Sequence, residues 1–221
     1  MALIYNLNLP PIPQWIIDFS LKEIENIKHG IDNTDQYIYA ESWGDADAAG
    51  RAHGINVANT QIRMFHPDSD VYKEINILYA GYFKKPMMMA WIVFSNQSDE
   101  HKFASLPPHC DINRTFTINY IIDPGGATVN TVLYKESRQL SDLTVPEFKN
   151  YNELSFDSEY CIPKNHWAIF EVQNYHSVEH IEGRRTMISM FSMDNYDRSF
   201  TEIFNEVSHL ATPFDPVNLT K

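Results

Sequence analysis

His109-Cys110-Asp111 is the first place along the chain where residue types and spacing can do chemistry. An extended chain turns residues i and i+2 to the same face. An imidazole nitrogen of His109 and a carboxylate oxygen of Asp111 can then reach one divalent metal from one side. Leu106-Pro107-Pro108 stiffens the approach. His-x-Asp alone occurs by chance and also in metal hydrolases. It gains weight from His176, which follows an apolar run and precedes a turn at Glu182-Gly183. Two imidazoles and a carboxylate hold a metal on one side and leave coordination positions open on the other. Arg185 follows that turn and opens the apolar run Thr186 to Phe191. A cation at the start of a buried strand needs a strong anionic partner. A guanidinium suits a carboxylate, which it can grip through two parallel hydrogen bonds. Strand parity turns the neighbouring Arg184 away if Arg185 points inward. The remaining histidines, such as His29, His53, His66 and His209, lack partners at useful spacing and read as surface or satisfied core residues.

These residues need strands to position them, and the second half of the chain supplies strand patterns. Met88 to Ser95 is a continuous apolar run of strand length. Thr115 to Ile122 and Ala127 to Tyr134 alternate and are β-branched, and Asp123-Pro124-Gly125-Gly126 lies between them, which predicts a hairpin. His166 to Val172 and Arg185 to Met193 add two strands. Many short strands joined by turns predict a double-sheet jelly roll or barrel. In that architecture His176 is expected to arrive from the sheet opposite His109 and Asp111.

Helical signals flank this core. Ser20 and Glu23 have capping-box spacing, which predicts a short helix through Leu21, Ile24 and Ile27, closed near Gly30. Val71, Ile75, Leu78, Tyr79 and Tyr82 recur at helical period, with Asp68 or Asp70 as cap. Ser199 and Glu202 form a second box ahead of an apolar face of Phe200, Ile203, Phe204, Val207 and Leu210. The Gly- and Ala-rich stretch 40–58 reads as a loop, either an active-site lid or a plain surface loop. One domain is expected: a helical and loop flank over 1–85, a jelly-roll catalytic core over 86–195, and a C-terminal helix and tail over 196–221.

Composition sets the outer bounds. The chain has 221 residues, 43% of them hydrophobic and 13% aromatic, enough for a substantial core. A net charge of −12 argues against a protein that tracks nucleic-acid phosphates. Cys110 and Cys161 make neither a disulfide framework nor a zinc knuckle. The N-terminal residues lack the basic and apolar regions of a signal peptide, and no apolar stretch has the ~20 residues that span a bilayer. The expectation is a cytoplasmic protein with no nucleic-acid or membrane partner.

From about Leu106 to Asp194 the sequence resembles the Fe(II)/2-oxoglutarate-dependent oxygenases, in their prolyl-hydroxylase-like branch. The resemblance rests on His109-Cys110-Asp111, on His176-Ser177-Val178 and on Arg185 nine residues further. Gly125-Gly126-Ala127-Thr128 and the run from Asn165 to Val178 add to it. It implies a mainly β fold with flanking helices (α+β) around a double-stranded β-helix core. It implies His109, Asp111 and His176 as ligands of Fe(II), and Arg185 as anchor of the distal carboxylate of 2-oxoglutarate. Thr117, Asn119 and Tyr120 are candidates for a polar side chain that assists Arg185. Thr117 and Asn119 share one face of their strand and Tyr120 takes the other, with Asn119 favoured. The implied activity is a dioxygenase that consumes O2, couples oxidative decarboxylation of 2-oxoglutarate to hydroxylation, and acts on a small-molecule or peptidyl substrate. Two alternatives come from other classes: a non-enzymatic jelly-roll binding module, and a cupin-type metal enzyme that does not use 2-oxoglutarate. The first expects scattered positions for His109, Asp111 and His176; the second expects Arg185 turned outward.

Overall fold

The computed structural model describes residues 3–28, 37–42, 55–111, 114–138, 147–192 and 198–217. In chain order the strands are β1 (Tyr5–Leu7), β2 (Tyr37–Ser42), β3 (Asn59–Phe65), β4 (Met88–Ser95), β5 (Ala104–Cys110), β6 (Phe116–Pro124) and β7 (Asn130–Ser137). They continue as β8 (Glu147–Phe148), β9 (Phe156–Tyr160), β10 (Trp167–Glu171), β11 (Asn174–Ile181), β12 (Arg184–Phe191) and β13 (Ala211–Pro213). Helices α1 (Gln14–Lys28), α2 (Asp70–Tyr79) and α3 (Phe200–Val207) lie between and after them. The larger sheet has the order β13-β1-β10-β6-β12-β4-β3-β2, and the smaller β8-β5-β11-β7-β9. All their pairings are antiparallel. The fold is mainly β, a double-stranded β-helix whose chain passes repeatedly from one sheet to the other.

The larger sheet buries both of its faces, which explains the unbroken apolar run of β4. Met89, Trp91 and Val93 turn to one side, together with Ile118, Tyr120, Ile169 and Ile188. The helices cover that side through Ile16, Val71, Ile75, Ile203 and Val207. The alternate residues Ala90, Ile92 and Phe94 turn inward to meet Leu106, Leu133 and Val178 from the smaller sheet. Alternation along each strand therefore sorts residues between a helix-side core and a core between the sheets. No helix among the described residues is long and apolar enough to cross a membrane.

Several local expectations are corrected. Ser20 caps nothing: α1 starts after the prolines at 10, 11 and 13, where the Ile16 and Ile17 amides bond Pro13 O at 3.0 and 3.3 Å. Ser20 is buried mid-helix, and its hydroxyl donates back to Ile16 O at 2.9 Å. The cap of α2 is Ser69, whose Oγ accepts from Tyr72 N, rather than Asp68 or Asp70. The capping box at Ser199 and Glu202 is present in full. The helical and loop flank also supplies β1, β2 and β3, and Ala40 to Ser42 belong to β2. Residues 43–54, the bulk of the candidate lid, lie outside the described residues, as does Gly30.

The hairpin at 115–134 is also corrected. β6 pairs with β10 and β12, whereas β7 pairs with β11 and β9. The turn residues carry the chain between sheets because another turn pins them. Gly125 O accepts from Glu182 N and Gly183 N at 3.0 and 3.1 Å. Gly125 has φ of +87°, and a Cβ there would sit 2.9 Å from Arg185 N. Only glycine lets the two turns approach so closely, just where Arg185 enters β12.

Candidate metal centre

His109 is the last residue but one of β5, Asp111 follows directly after the strand, and His176 lies on β11. β5 and β11 are adjacent in the smaller sheet, with His109 and His176 directly opposed in the ladder. This corrects the expectation that His176 arrives from the opposite sheet. A neighbouring strand in register brings the two rings together with no need to cross the barrel, and their centroids are 4.3 Å apart. All three residues are buried, and their ligand atoms lie within 4.8 Å of one another.

The hydrogen bonds around the rings fix which nitrogen faces the site. His109 Nδ1 bonds Pro107 O at 2.9 Å, and His176 Nδ1 bonds Asn174 O at 3.1 Å. A carbonyl oxygen only accepts, so each Nδ1 carries the hydrogen. Each ring then turns its Nε2 toward Asp111 Oδ1, at 3.4 Å from His109 and 3.9 Å from His176. Burial holds the His176 imidazole down to about 4, helped by the neighbouring His109, so it stays neutral at ordinary pH. Burial pushes the Asp111 carboxyl up, but Arg114 and the two imidazoles outweigh it and hold it well below the usual carboxylate range. Two imidazole nitrogens and an ionised carboxylate converging in a buried place form the donor set of a divalent transition metal, and iron(II) fits it.

Arg185 comes from the other wall. It is 2% exposed on β12 of the larger sheet and lines the same cavity as the triad. That cavity measures about 520 Å³, counting its opening to solvent. Nε and Nη1 of Arg185 are buried with no hydrogen-bond partner among the described residues. Burial pulls the guanidinium down to about 10, which still leaves it cationic at neutral pH. Arg184 points the other way and pairs with Glu25 at 3.2 Å.

Parity on β6 separates the assisting candidates. Thr117 and Asn119 line the cavity. Tyr120 lies in the helix-side core against Trp167, with ring centroids 5.0 Å apart, so it faces away from the cavity. Sequence reasoning missed Arg114, whose Nη2 reaches Asp111 Oδ2 at 2.6 Å. Its signal was the spacing, three residues after Asp111. Thr60 and Ile62 of β3 also line the cavity and were missed. Alternation through Asn59-Thr60-Gln61-Ile62-Arg63-Met64 was the available signal.

No protein-family model and no curated protein sequence matches the chain. Solved structures do resemble it. A prolyl-4-hydroxylase from Pseudomonas putida is 9% identical, with 86% of this chain and 92% of that one covered at a TM-score of 0.45. AviO1 from Streptomyces viridochromogenes is 12% identical over 90% and 93% of the two chains, at 0.47. An L-ribose isomerase from Cellulomonas parahominis is 13% identical over 91% and 98%, at 0.41. Likeness at this level, to proteins so differently named, assigns no reaction; the side chains must do so.

Proposed function

We propose that this protein is an Fe(II)/2-oxoglutarate-dependent dioxygenase that hydroxylates a small molecule or a peptidyl side chain. The observation that carries the reading is Arg185: a buried cation whose Nε and Nη1 have no partner among the described residues, in the cavity that holds two imidazoles and a carboxylate. An uncompensated buried charge is costly unless a ligand completes it. A dicarboxylate that reaches a metal with one end and the guanidinium with the other satisfies both walls at once.

His109, Asp111 and His176 would hold the iron, leaving its remaining positions to face the cavity. With 2-oxoglutarate bound, the iron supplies oxidative decarboxylation coupled to hydroxylation. The protein's own residues bind, orient and exclude water. Arg185 grips the distal carboxylate with its planar fork, and Asn119 adds a polar contact from β6. Phe94, Leu106 and Phe170 make the cavity wall apolar, which strengthens each charged contact inside it. The inward position of Arg185 favours this reading over a cupin-type enzyme without 2-oxoglutarate, and the convergence of the triad favours it over a binding module with an accidental pattern.

The test is formation of succinate from 2-oxoglutarate by the iron-loaded protein in air. Iron-dependent succinate, lost in His176→Ala, is the expected result. The same slow turnover in the wild type and in His176→Ala would remove the assignment.

A further inference from the structure

Arg114 touches both walls of the cavity. Its Nη2 bonds Asp111 Oδ2 at 2.6 Å, which leaves Oδ1 as the oxygen facing the two histidines. Its Nη1 donates to Ser189 Oγ of β12 at 3.3 Å. The guanidinium also lies over the Phe191 ring, 5.2 Å from its centroid, which fixes its plane. Ser189 and Thr117 Oγ1 hydrogen-bond at 2.8 Å, and Thr117 donates to Asn119 Oδ1 at 2.8 Å.

This row of side chains has one direction. An arginine only donates, so Ser189 Oγ accepts from Arg114. Ser189 is fully buried, and Thr117 is the partner of its hydroxyl hydrogen. Thr117 passes its own hydrogen to Asn119. With its oxygen occupied, the Asn119 amide has its NH2 left to meet a ligand.

We propose that Arg114 is the positioning residue of this site. It restricts Asp111 to ligation through one oxygen, and it polarises the row Ser189–Thr117–Asn119 so that Asn119 donates to a carboxylate or carbonyl oxygen of the ligand. The inference rests on the metal and dicarboxylate reading given above. It couples the two walls: the residue that orders the metal's carboxylate also sets the hydrogen-bonding character of the cosubstrate side.

The experiment uses Mn(II) alone, then 2-oxoglutarate added to the Mn(II)-loaded protein, both by calorimetry. Arg114→Met is expected to lose Mn(II) affinity by about ten- to a hundredfold, as outer partners of metal ligands commonly do. Arg114→Lys should recover part of it. Ser189→Ala leaves Asp111 untouched, so it should keep wild-type Mn(II) affinity and weaken 2-oxoglutarate by roughly fivefold, about one hydrogen bond. Co(II) absorption bands, which report the ligand set, should shift in Arg114→Met and not in Ser189→Ala. Wild-type Mn(II) affinity in both Arg114 variants would overturn the proposal while leaving the metal site intact. Unchanged 2-oxoglutarate affinity in Ser189→Ala would overturn its second arm. A wild-type protein that binds no Mn(II) would overturn this proposal and the functional reading together.

Discussion

His176 is a neutral base in a buried place, and the pH dependence of the metal-free protein should report it. The unfolded chain protonates a histidine near 6.5, whereas the folded ring does so only at about 4. Between those values the unfolded state binds more protons, so this contribution is fully present above about 6.5 and is lost as the pH falls toward 4. The lowered carboxyl of Asp111 acts at the acid end of that range and below it, because its stabilisation is lost only as the pH drops beneath the ordinary carboxylate value. Thermal melts of the metal-free protein should therefore decline from pH 6.5 to 4, and His176→Asn should flatten the decline; identical profiles would show that His176 is not held neutral. Arg185 leads to an opposite pair of effects. Replacing it with Met removes a buried charge whose Nε and Nη1 no described residue pairs, so the melting temperature of the metal-free protein should rise or stay level. The half-saturating concentration of 2-oxoglutarate should rise more than tenfold in the same variant, about 1.4 kcal/mol or more. At this scale the site was legible where spacing along one strand determines it. His109 and Asp111 share a face by covalent geometry, and Arg185 stands out because apolar residues follow it. Arg114 was legible only through its spacing from Asp111; its other partners, Ser189 and Phe191, lie some 75 residues away in sequence and only folding brings them near.

Turns and caps fix where those residues stand. Gly125 lets the turn after β6 lie against the start of β12, and Gly125→Ala places a methyl group 2.9 Å from Arg185 N. That substitution should cost roughly 1–3 kcal/mol of stability and weaken 2-oxoglutarate more than Mn(II), read by melting and calorimetry, because Arg185 shifts while the triad on the other sheet does not. Ser199→Ala offers the contrast. It removes the capping box of α3, should cost about 1 kcal/mol, and should leave both affinities unchanged. The box at Ser199 was readable because its bonds are local, three residues apart. The equally well-spaced Ser20 and Glu23 misled because the prolines at 10 to 13 had already set the helix start upstream. The turn between β6 and β7 misled for a different reason. Its composition says that the chain reverses, but the choice between closing a hairpin and changing sheets depends on Glu182 and Gly183, far along the chain.

Three layers make the whole molecule: helices, the larger sheet, and the smaller sheet. The cavity lies between the sheets, with the His109–Asp111–His176 triad on one wall and Arg185 on the other, so a ligand that binds both walls ties the two sheets together. Such a ligand binds only the folded state. At a hundredfold excess over its dissociation constant it should add about 2.7 kcal/mol to stability. Mn(II) and 2-oxoglutarate together should raise the melting temperature beyond Mn(II) alone, and 2-oxoglutarate alone should do little. The sheet architecture was legible from runs of strand length because both faces of the larger sheet are buried and its strands read as apolar. The strands at one end of that sheet were not: β13 at the edge and β1 beside it are three residues each, too short for a period to show.

The most direct test of the central claim is an anaerobic calorimetric titration of 2-oxoglutarate into the iron(II)-loaded protein, with His176→Ala and Arg185→Met alongside. The expected result is one equivalent bound by the wild type, with binding lost without His176 and weakened more than tenfold without Arg185. Binding that ignores both substitutions, or no binding by a wild-type protein that holds its iron, would contradict it.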